Sequence, residues 1–539
     1  MTATALDPSG ARTRRAQRYG PAPHLVLYAL IALGVLLAAP LTSAFSSDDG
    51  AYGVQVRVLS EADSWVLPRP VAVVPVENEG MVNGLRTVAG PVPYSGHPLY
   101  VKLLQTSRSM FGESFGMHLP AIAGTILTPL FAWLAAGLVD RRLRVGAFWT
   151  AAVSPVLVHG LGLWAHALAA TLAGVGVVLV LRMLHRSPRL TEVALLALAC
   201  SLGVLLRSEM MIWALAVAVV VIVVRRSRGG LFAAATVLAC SVGARLLEQA
   251  TRERILPRRL DGSIATEVSR GWLADRGAAA WHILAGPSHR GGVVGLLALA
   301  GAVLVLYGAL RWRQAGSRVG APLMVAGALA MAARLVLADG DLSTGIVVAW
   351  PVAFAAIVLG WRADRPSRVL AALTGLYLLG VLATQHPQGG GLEWGGRYLA
   401  PVVVAVSVLA AGGVARLWWS GWAGRGVLVA VALLPVAAGV TAANELRSRN
   451  HDVVAWVITE PAEVVITAEP ALPRIAWATA PQVAWYRADE TNVGPLLEQL
   501  HAGAVSSVRV QGIEQDALVG HGYRVEAVAA GLIDLRPTR

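Results

Sequence analysis

Apolar runs long enough to be membrane helices recur along most of this sequence, and arginine clusters mark every second connection between them. The runs lie at 24–43, 116–139, 145–161, 163–184, 190–206, 209–224, 230–247, 291–310, 319–338, 342–361, 368–385, 398–415 and 425–443. A hydrocarbon layer about 30 Å thick takes about 20 helical residues to cross, and inside it every backbone N–H and C=O needs a partner within the protein. A helix meets that demand by itself. The pattern therefore predicts a polytopic α-helical membrane protein with about thirteen transmembrane helices.

The arginines give the orientation. Arg141, Arg142 and Arg144; Arg186 and Arg189; Arg225, Arg226 and Arg228; Arg311, Arg313 and Arg318; Arg362, Arg365 and Arg368; and Arg416 and Arg425 all fall on one side, which the positive-inside rule makes cytoplasmic. Arg12, Arg14, Arg15 and Arg18 put the N-terminus on the same side. The short opposite connections Asp339-Gly-Asp341 and Gln385–Gly396 carry no Lys or Arg. A longer one, about 248–290, holds seven arginines but is of a length that largely escapes the rule, and its Trp272 and Trp281 suit short interfacial helices. The net charge of +13 thus reads as topology and not as a nucleic-acid surface. A charged fraction of 14%, against about a quarter in soluble domains, agrees. Cys200 and Cys240 both lie in apolar runs, which gives little support to a disulfide or a thiolate metal site.

Two regions break the apolar pattern. Residues 45–115 are too polar and proline-rich to span and form a large first external loop within a transmembrane domain of residues 1–443. From 444 to 539 the composition is that of a soluble domain, with strand-like stretches at Val464–Thr467, Val505–Val510, Tyr523–Val528 and Leu532–Leu535 and a helix at Val493–His501. An odd number of spans places this small α/β domain outside, with the first loop.

That loop carries the candidate chemistry. Asp48 and Asp49 stand just beyond the first run, and the pair alone is equally compatible with solvated loop charges. A second motif follows in the same loop, Tyr94-Ser-Gly-His97-Pro98-Leu99-Tyr100, and then Lys102, the only lysine among 45 basic residues. A carboxylate near a His, a Lys and arginines suits one reaction type: the acid takes a proton from an acceptor hydroxyl while cations hold a phosphate leaving group. That is sugar transfer from a phosphorylated donor. Arg397 lies externally beside Gly395 and Gly396, which allow close backbone approach to a ligand, and Arg suits phosphate; a headgroup-facing anchor at the start of the twelfth run is the other reading.

The ordered set of motifs resembles the integral-membrane glycosyltransferases of the C superfamily, which use polyprenyl-phosphate sugars and include protein O-mannosyltransferases and the lipid A aminoarabinose transferase. The resemblance rests on Asp48-Asp49-Gly-Ala-Tyr52; Tyr94-Ser-Gly-His97-Pro98-Leu99-Tyr100; Phe111-Gly-Glu-Ser114 leading into His118-Leu-Pro120 and Gly124; Ser154-Pro155; and Trp394-Gly-Gly-Arg397-Tyr398-Leu399. It implies that Asp48 is the catalytic base, with Asp49 orienting the acceptor or tuning the base. Tyr52 falls within the aspartate motif and is assigned with the substrate-binding residues. His97 matches the motif near the donor phosphate, where some relatives have Lys, so Lys102 or an arginine is an alternative phosphate ligand. Arg207 and Glu209 match an element at the external mouth, for which an interfacial ion pair is the other reading. Trp164-Ala-His166 stands where some relatives have Trp-Glu-His-Thr; Ala165 replaces the acid, and His166 either faces the cavity or is a buried, hydrogen-bonded histidine.

The expectation is an inverting transferase of the bacterial plasma membrane, with its active face and C-terminal domain outside and its N-terminus in the cytoplasm. Its partners are a polyprenyl-phosphate donor, a glycan, lipid or protein acceptor, and membrane lipids. Neither a nucleotide motif nor zinc-ligand spacing is present; no metal is obligatory, although Asp48 and Asp49 could bind a divalent cation. A transporter or flippase, or a non-catalytic cell-envelope assembly protein, shares the many spans; clear internal duplication, common in transporters, is absent.

Overall fold

The computed structural model describes residues 20–44, 46–67, 85–87, 89–94, 96–256, 271–285, 292–337, 345–384, 394–457, 462–469, 471–479, 482–529 and 532–538. The N-terminal arginines 12 to 18, the prolines at 68, 70 and 75, the Asp339-Gly-Asp341 connection and residues 385–393 lie outside them.

The helices follow the apolar runs closely. In chain order they are α1 (Ala22–Leu37), α2 (Ser47–Ala62), α3 (Pro98–Phe111), α4 (Glu113–Val139), α5 (Arg144–Ala152), α6 (His166–His185), α7 (Leu190–Leu206), α8 (Met210–Arg225), α9 (Arg228–Ile255), α10 (Trp272–Ala280), α11 (Gly292–Ala315), α12 (Ser317–Leu337), α13 (Pro351–Gly360), α14 (Arg365–Thr384), α15 (Val403–Trp419) and α16 (Trp422–Val457). Among the described residues, seven helical segments, in α4, α6, α9, α11, α14, α15 and α16, are long and apolar enough to cross a membrane; α1, α7, α8, α12 and α13 contribute shorter apolar helices. The 145–161 run is broken after Ala152 at Ser154-Pro155, and the 342–361 run is broken at Trp350-Pro351. Proline lacks the N–H that a continuous helix needs and restricts the residue before it. The α16 helix runs through residue 443 to Val457.

The first loop is more ordered than its polarity indicates. It contains two helices, α2 and α3, and a short antiparallel ribbon, β1 (Leu85–Thr87) with β2 (Gly90–Val92). Pro98 opens α3, where a missing N–H costs nothing.

Beyond α16 lies a five-stranded sheet of order β4-β3-β5-β7-β6, made from β3 (Val464–Thr467), β4 (Ala484–Arg487), β5 (Val508–Gln511), β6 (Tyr523–Ala529) and β7 (Leu532–Pro537). β3 pairs in parallel with β4 and β5, and β7 pairs antiparallel with β5 and β6. Short helix α17 (Leu472–Ile475) follows β3, and α18 (Val493–Ala502) buries Val493, Leu496, Leu497 and Leu500, one helical stripe, against the sheet.

One apolar core joins parts far apart in sequence. It contains Tyr28 of α1, Tyr52 of α2, Tyr100 of α3, Trp164, Trp394 and Trp477 from the C-terminal region, all nearly fully buried. The aspartate-bearing helix is therefore clamped from both ends of the chain.

Candidate active site

Ser46 starts the site. Its hydroxyl oxygen accepts from the Asp49 N–H at 3.1 Å and caps α2, and Asp48 and Asp49 occupy the first turn, where the free N–H groups favour negative charge. Successive helix positions are about 100° apart, so the two carboxylates face different ways. Asp49 is buried, and its Oδ1 accepts from the Leu163 N–H; the Leu163 carbonyl accepts from the Tyr100 hydroxyl at 2.8 Å. Asp49 thereby ties α2 to the turn that leads into α6.

Asp48 points elsewhere. Its Oδ2 accepts from both Nη1 and Nη2 of Arg397, each at 3.0 Å, and its Oδ1 lies 3.8 Å from Nη1 of Arg474. Arg397 reaches it from a 3-10 turn, Arg397–Val402, that precedes α15, and its guanidinium lies 5.6 Å from the Trp164 ring centre and 5.5 Å from that of Tyr398. Arg207, at the end of α7, approaches the Tyr398 ring at 5.7 Å and donates from Nε to Glu209 at 2.8 Å. His166 Nδ1 is 3.7 Å from the same Glu209 oxygen. Below Asp48 on α2, the Tyr52 and Tyr94 hydroxyls are 2.6 Å apart and their rings 4.0 Å apart.

Arg474 comes from α17, beyond β3, and glycines on α2 bring it there. A Cβ on Gly50 would stand 2.1 Å from the Arg474 carbonyl oxygen, and one on Gly53 would stand 2.5 Å from the Trp477 ring. Only hydrogen fits at either position, so Gly50 and Gly53, three residues apart on one helix face, make the seat for residues 474–477.

Burial raises the Asp48 pKa. The charge and hydrogen bonds of Arg397, with the charges of Arg474 and Arg207, outweigh burial and hold the carboxyl below its ordinary 3.8.

No family model matches the sequence, and no curated protein matches it by sequence. Solved structures do match. ArnT from Cupriavidus metallidurans in the apo state superposes with a TM-score of 0.51 at 14% identity, over 95% of this chain and 98% of that one. The same enzyme bound to undecaprenyl phosphate gives a TM-score of 0.51 at 13% identity, over 96% and 98%. This chain shares the overall fold of these ArnT structures.

Within that fold the structure gathers Asp48, Arg397, Arg207, Glu209 and Tyr52 into one region, with His166 beside Glu209. It places Lys102 elsewhere, and it holds His97, which lies within electrostatic reach of Arg207 and Glu209, against a further carboxylate. His97, a non-glycine residue at φ 48°, caps α3; Glu248 of α9 accepts its N–H at 3.2 Å, and the His97 Nδ1 lies 2.8 Å from the same carboxylate. Burial lowers the His97 pKa, and the hydrogen bond and charge of Glu248 offset that only in part. Lys102 is exposed on α3; it donates to Gln105 at 2.9 Å and lies 5.9 Å from the Trp65 ring, on a face apart from Asp48. Gly395 and Gly396 have positive φ, but their missing side chains make room for Pro155 and the Ile283 carbonyl, so they admit protein and not a ligand.

Asp48 faces guanidinium groups and Asp49 faces a backbone amide, so the two carboxylates do not converge on one cation position. Among the described residues there is no group of three or more His, Cys, Asp or Glu side chains placed to hold a metal ion. Sequence reasoning missed Arg474 and Glu248. The Gly50-x-x-Gly53 spacing was the visible signal of a close contact on α2, but nothing local identified its partner.

Proposed function

We propose that this protein is a membrane glycosyltransferase that moves one sugar, a hexose or a pentose, from a polyprenyl phosphate to a hydroxyl of a glycan, lipid or protein. The observation that carries the reading is Asp48: a half-exposed carboxylate at a helix N-terminus, held by an arginine whose geometry also suits phosphate. Its fold-level neighbour ArnT, solved with undecaprenyl phosphate, supports the donor class.

In this reading Asp48 takes the proton of the acceptor hydroxyl as its oxygen attacks the anomeric carbon. The bond from that carbon to the phosphate oxygen breaks, the polyprenyl phosphate leaves, and Arg397 and Arg207 carry its charge. Single displacement inverts the anomeric centre. Asp49 sets the angle of α2 and hence the place of Asp48, and Tyr52 packs beneath the site. Mannose and arabinofuranose are the donors that suit a bacterial envelope enzyme of this composition.

The arginine pattern supports thirteen spans across a bacterial plasma membrane, with the N-terminus and the arginine-rich connections in the cytoplasm. The aspartate loop and the C-terminal α/β domain then share the extracytoplasmic face, where a lipid-linked donor enters sideways from the bilayer. Mass spectrometry of lipids that co-purify with the protein tests the reading. A polyprenyl-phosphate sugar is the expected species, and purified protein that neither retains nor turns over any such lipid would overturn it.

A further inference from the structure

Arg474 is the side chain least explained by the packing around it. It is 2% exposed, and among the described residues its Nε has no hydrogen-bond partner and its one ion pair, to Asp48, is long at 3.8 Å. Arg447 shares the unpartnered Nε, but its two terminal nitrogens are supplied: the carbonyls of Leu36, Ala39 and Pro40 accept from them, at 3.1, 3.3 and 2.9 Å, and so does Asn444 at 3.5 Å. A buried charge is retained where its donors are satisfied, and an under-satisfied one marks a place where a counter-ion belongs.

The charge balance around Asp48 points the same way. Arg207, Arg397 and Arg474 face Asp48 and Glu209, three cations against two carboxylates, which leaves one positive charge over. Arg474 is also held in place by backbone: the Gly50 contact fixes its carbonyl and the Gly53 contact fixes Trp477, so its guanidinium is delivered to Asp48 by docking and not by a mobile chain.

We propose that Arg474 is a phosphate ligand of the donor site, supplied by the C-terminal domain and completed only when that domain is docked on α2. The inference rests on the glycosyltransferase reading above. The donor phosphate takes the open donors of Arg474 and competes with Asp48 for Arg397, so one binding event both seats the leaving group and frees the base. The C-terminal domain is then part of the donor site and not only a cover for it.

Binding of undecaprenyl phosphate to the purified full-length protein in detergent tests this, with undecaprenol and phosphatidylglycerol as parallel probes. Arg474→Gln is expected to weaken undecaprenyl phosphate at least about tenfold, to leave undecaprenol unchanged, and to unfold at the wild-type temperature or above it, because the lost ion pair is long. Arg474→Lys keeps the charge without the fork and is expected to bind severalfold more weakly than wild type. Should Arg474→Gln not fold, Arg474→Lys decides, and wild-type affinity in that variant overturns the assignment. A loss confined to phosphatidylglycerol also overturns it, as a headgroup anchor. If Arg397→Gln weakens undecaprenyl phosphate and Arg474→Gln does not, the donor reading stands and the role of Arg474 falls. If wild-type protein binds none of this lipid, the donor reading itself falls.

Discussion

Asp48 and Arg397 meet across 349 residues of sequence, with both terminal nitrogens of the arginine donating to one carboxylate oxygen at 3.0 Å. The pair joins the first turn of α2 to the turn before α15 and puts the proposed base in contact with the proposed phosphate ligand. Arg397→Gln should therefore act on the donor first. Its KM for a polyprenyl-phosphate sugar should rise about tenfold or more, in line with the loss of a charge-assisted contact to phosphate, while the acceptor KM stays near wild type. Steady-state kinetics with each substrate varied separately checks this.

The same pair sets a pH dependence. The folded-state pKa of Asp48 is depressed, so the unfolded chain takes up a proton first as pH falls. The stability that the pair contributes is full above the ordinary value of 3.8 and is lost as pH drops through it towards the folded value. The difference in unfolding temperature between wild type and Arg397→Gln should be constant from pH 7 to about 5 and should shrink below about pH 4. A difference that persists unchanged at pH 3 would argue against an ionised Asp48 in the pair.

Asp49 should behave as a structural residue. It is buried and accepts the Leu163 N–H, so Asp49→Ala leaves that amide without a partner and should cost about 1–3 kcal/mol. Thermal unfolding in detergent measures the loss. An unchanged midpoint would mean that Asp49 does not hold α2 in place.

His97 should matter to stability and not to donor affinity. Its folded pKa lies below the ordinary 6.5, so its contribution is complete above that value and is lost as pH falls below it. His97→Gln should lower the unfolding temperature at pH 7.5, lose less between pH 6.5 and 5 than wild type does, and leave the donor KM within about twofold of wild type. A large donor KM effect would return His97 to the phosphate site.

The membrane part was legible because hydrocarbon imposes a local rule: about 20 apolar residues in a row, with arginines left on one side. The strands Val464–Thr467 and Leu532–Pro537 were legible for a similar reason, since both keep strong apolar patterns. Strand β4, Ala484–Arg487, was not: four residues with only Trp485 and Tyr486 buried offer no alternation to read. In the site, Asp48 and Arg397 could be named from motifs. Their pairing, the delivery of Arg474 through Gly50 and Gly53, and the capture of His97 by Glu248 could not, because each depends on which distant segment docks there. Lys102 shows the reverse error. Its rarity singled it out, yet helix α3 turns it away from the cluster to an exposed face.

The most direct measurement is single-turnover transfer by Asp48→Asn, with a labelled polyprenyl-phosphate sugar already bound. The substitution keeps the size of the side chain and removes its basicity. Donor binding should be retained or tightened, because Arg397 is released, and the rate of sugar transfer should fall by about 10²–10⁴. Transfer near the wild-type rate from a folded, donor-loaded Asp48→Asn protein would contradict Asp48 as the base.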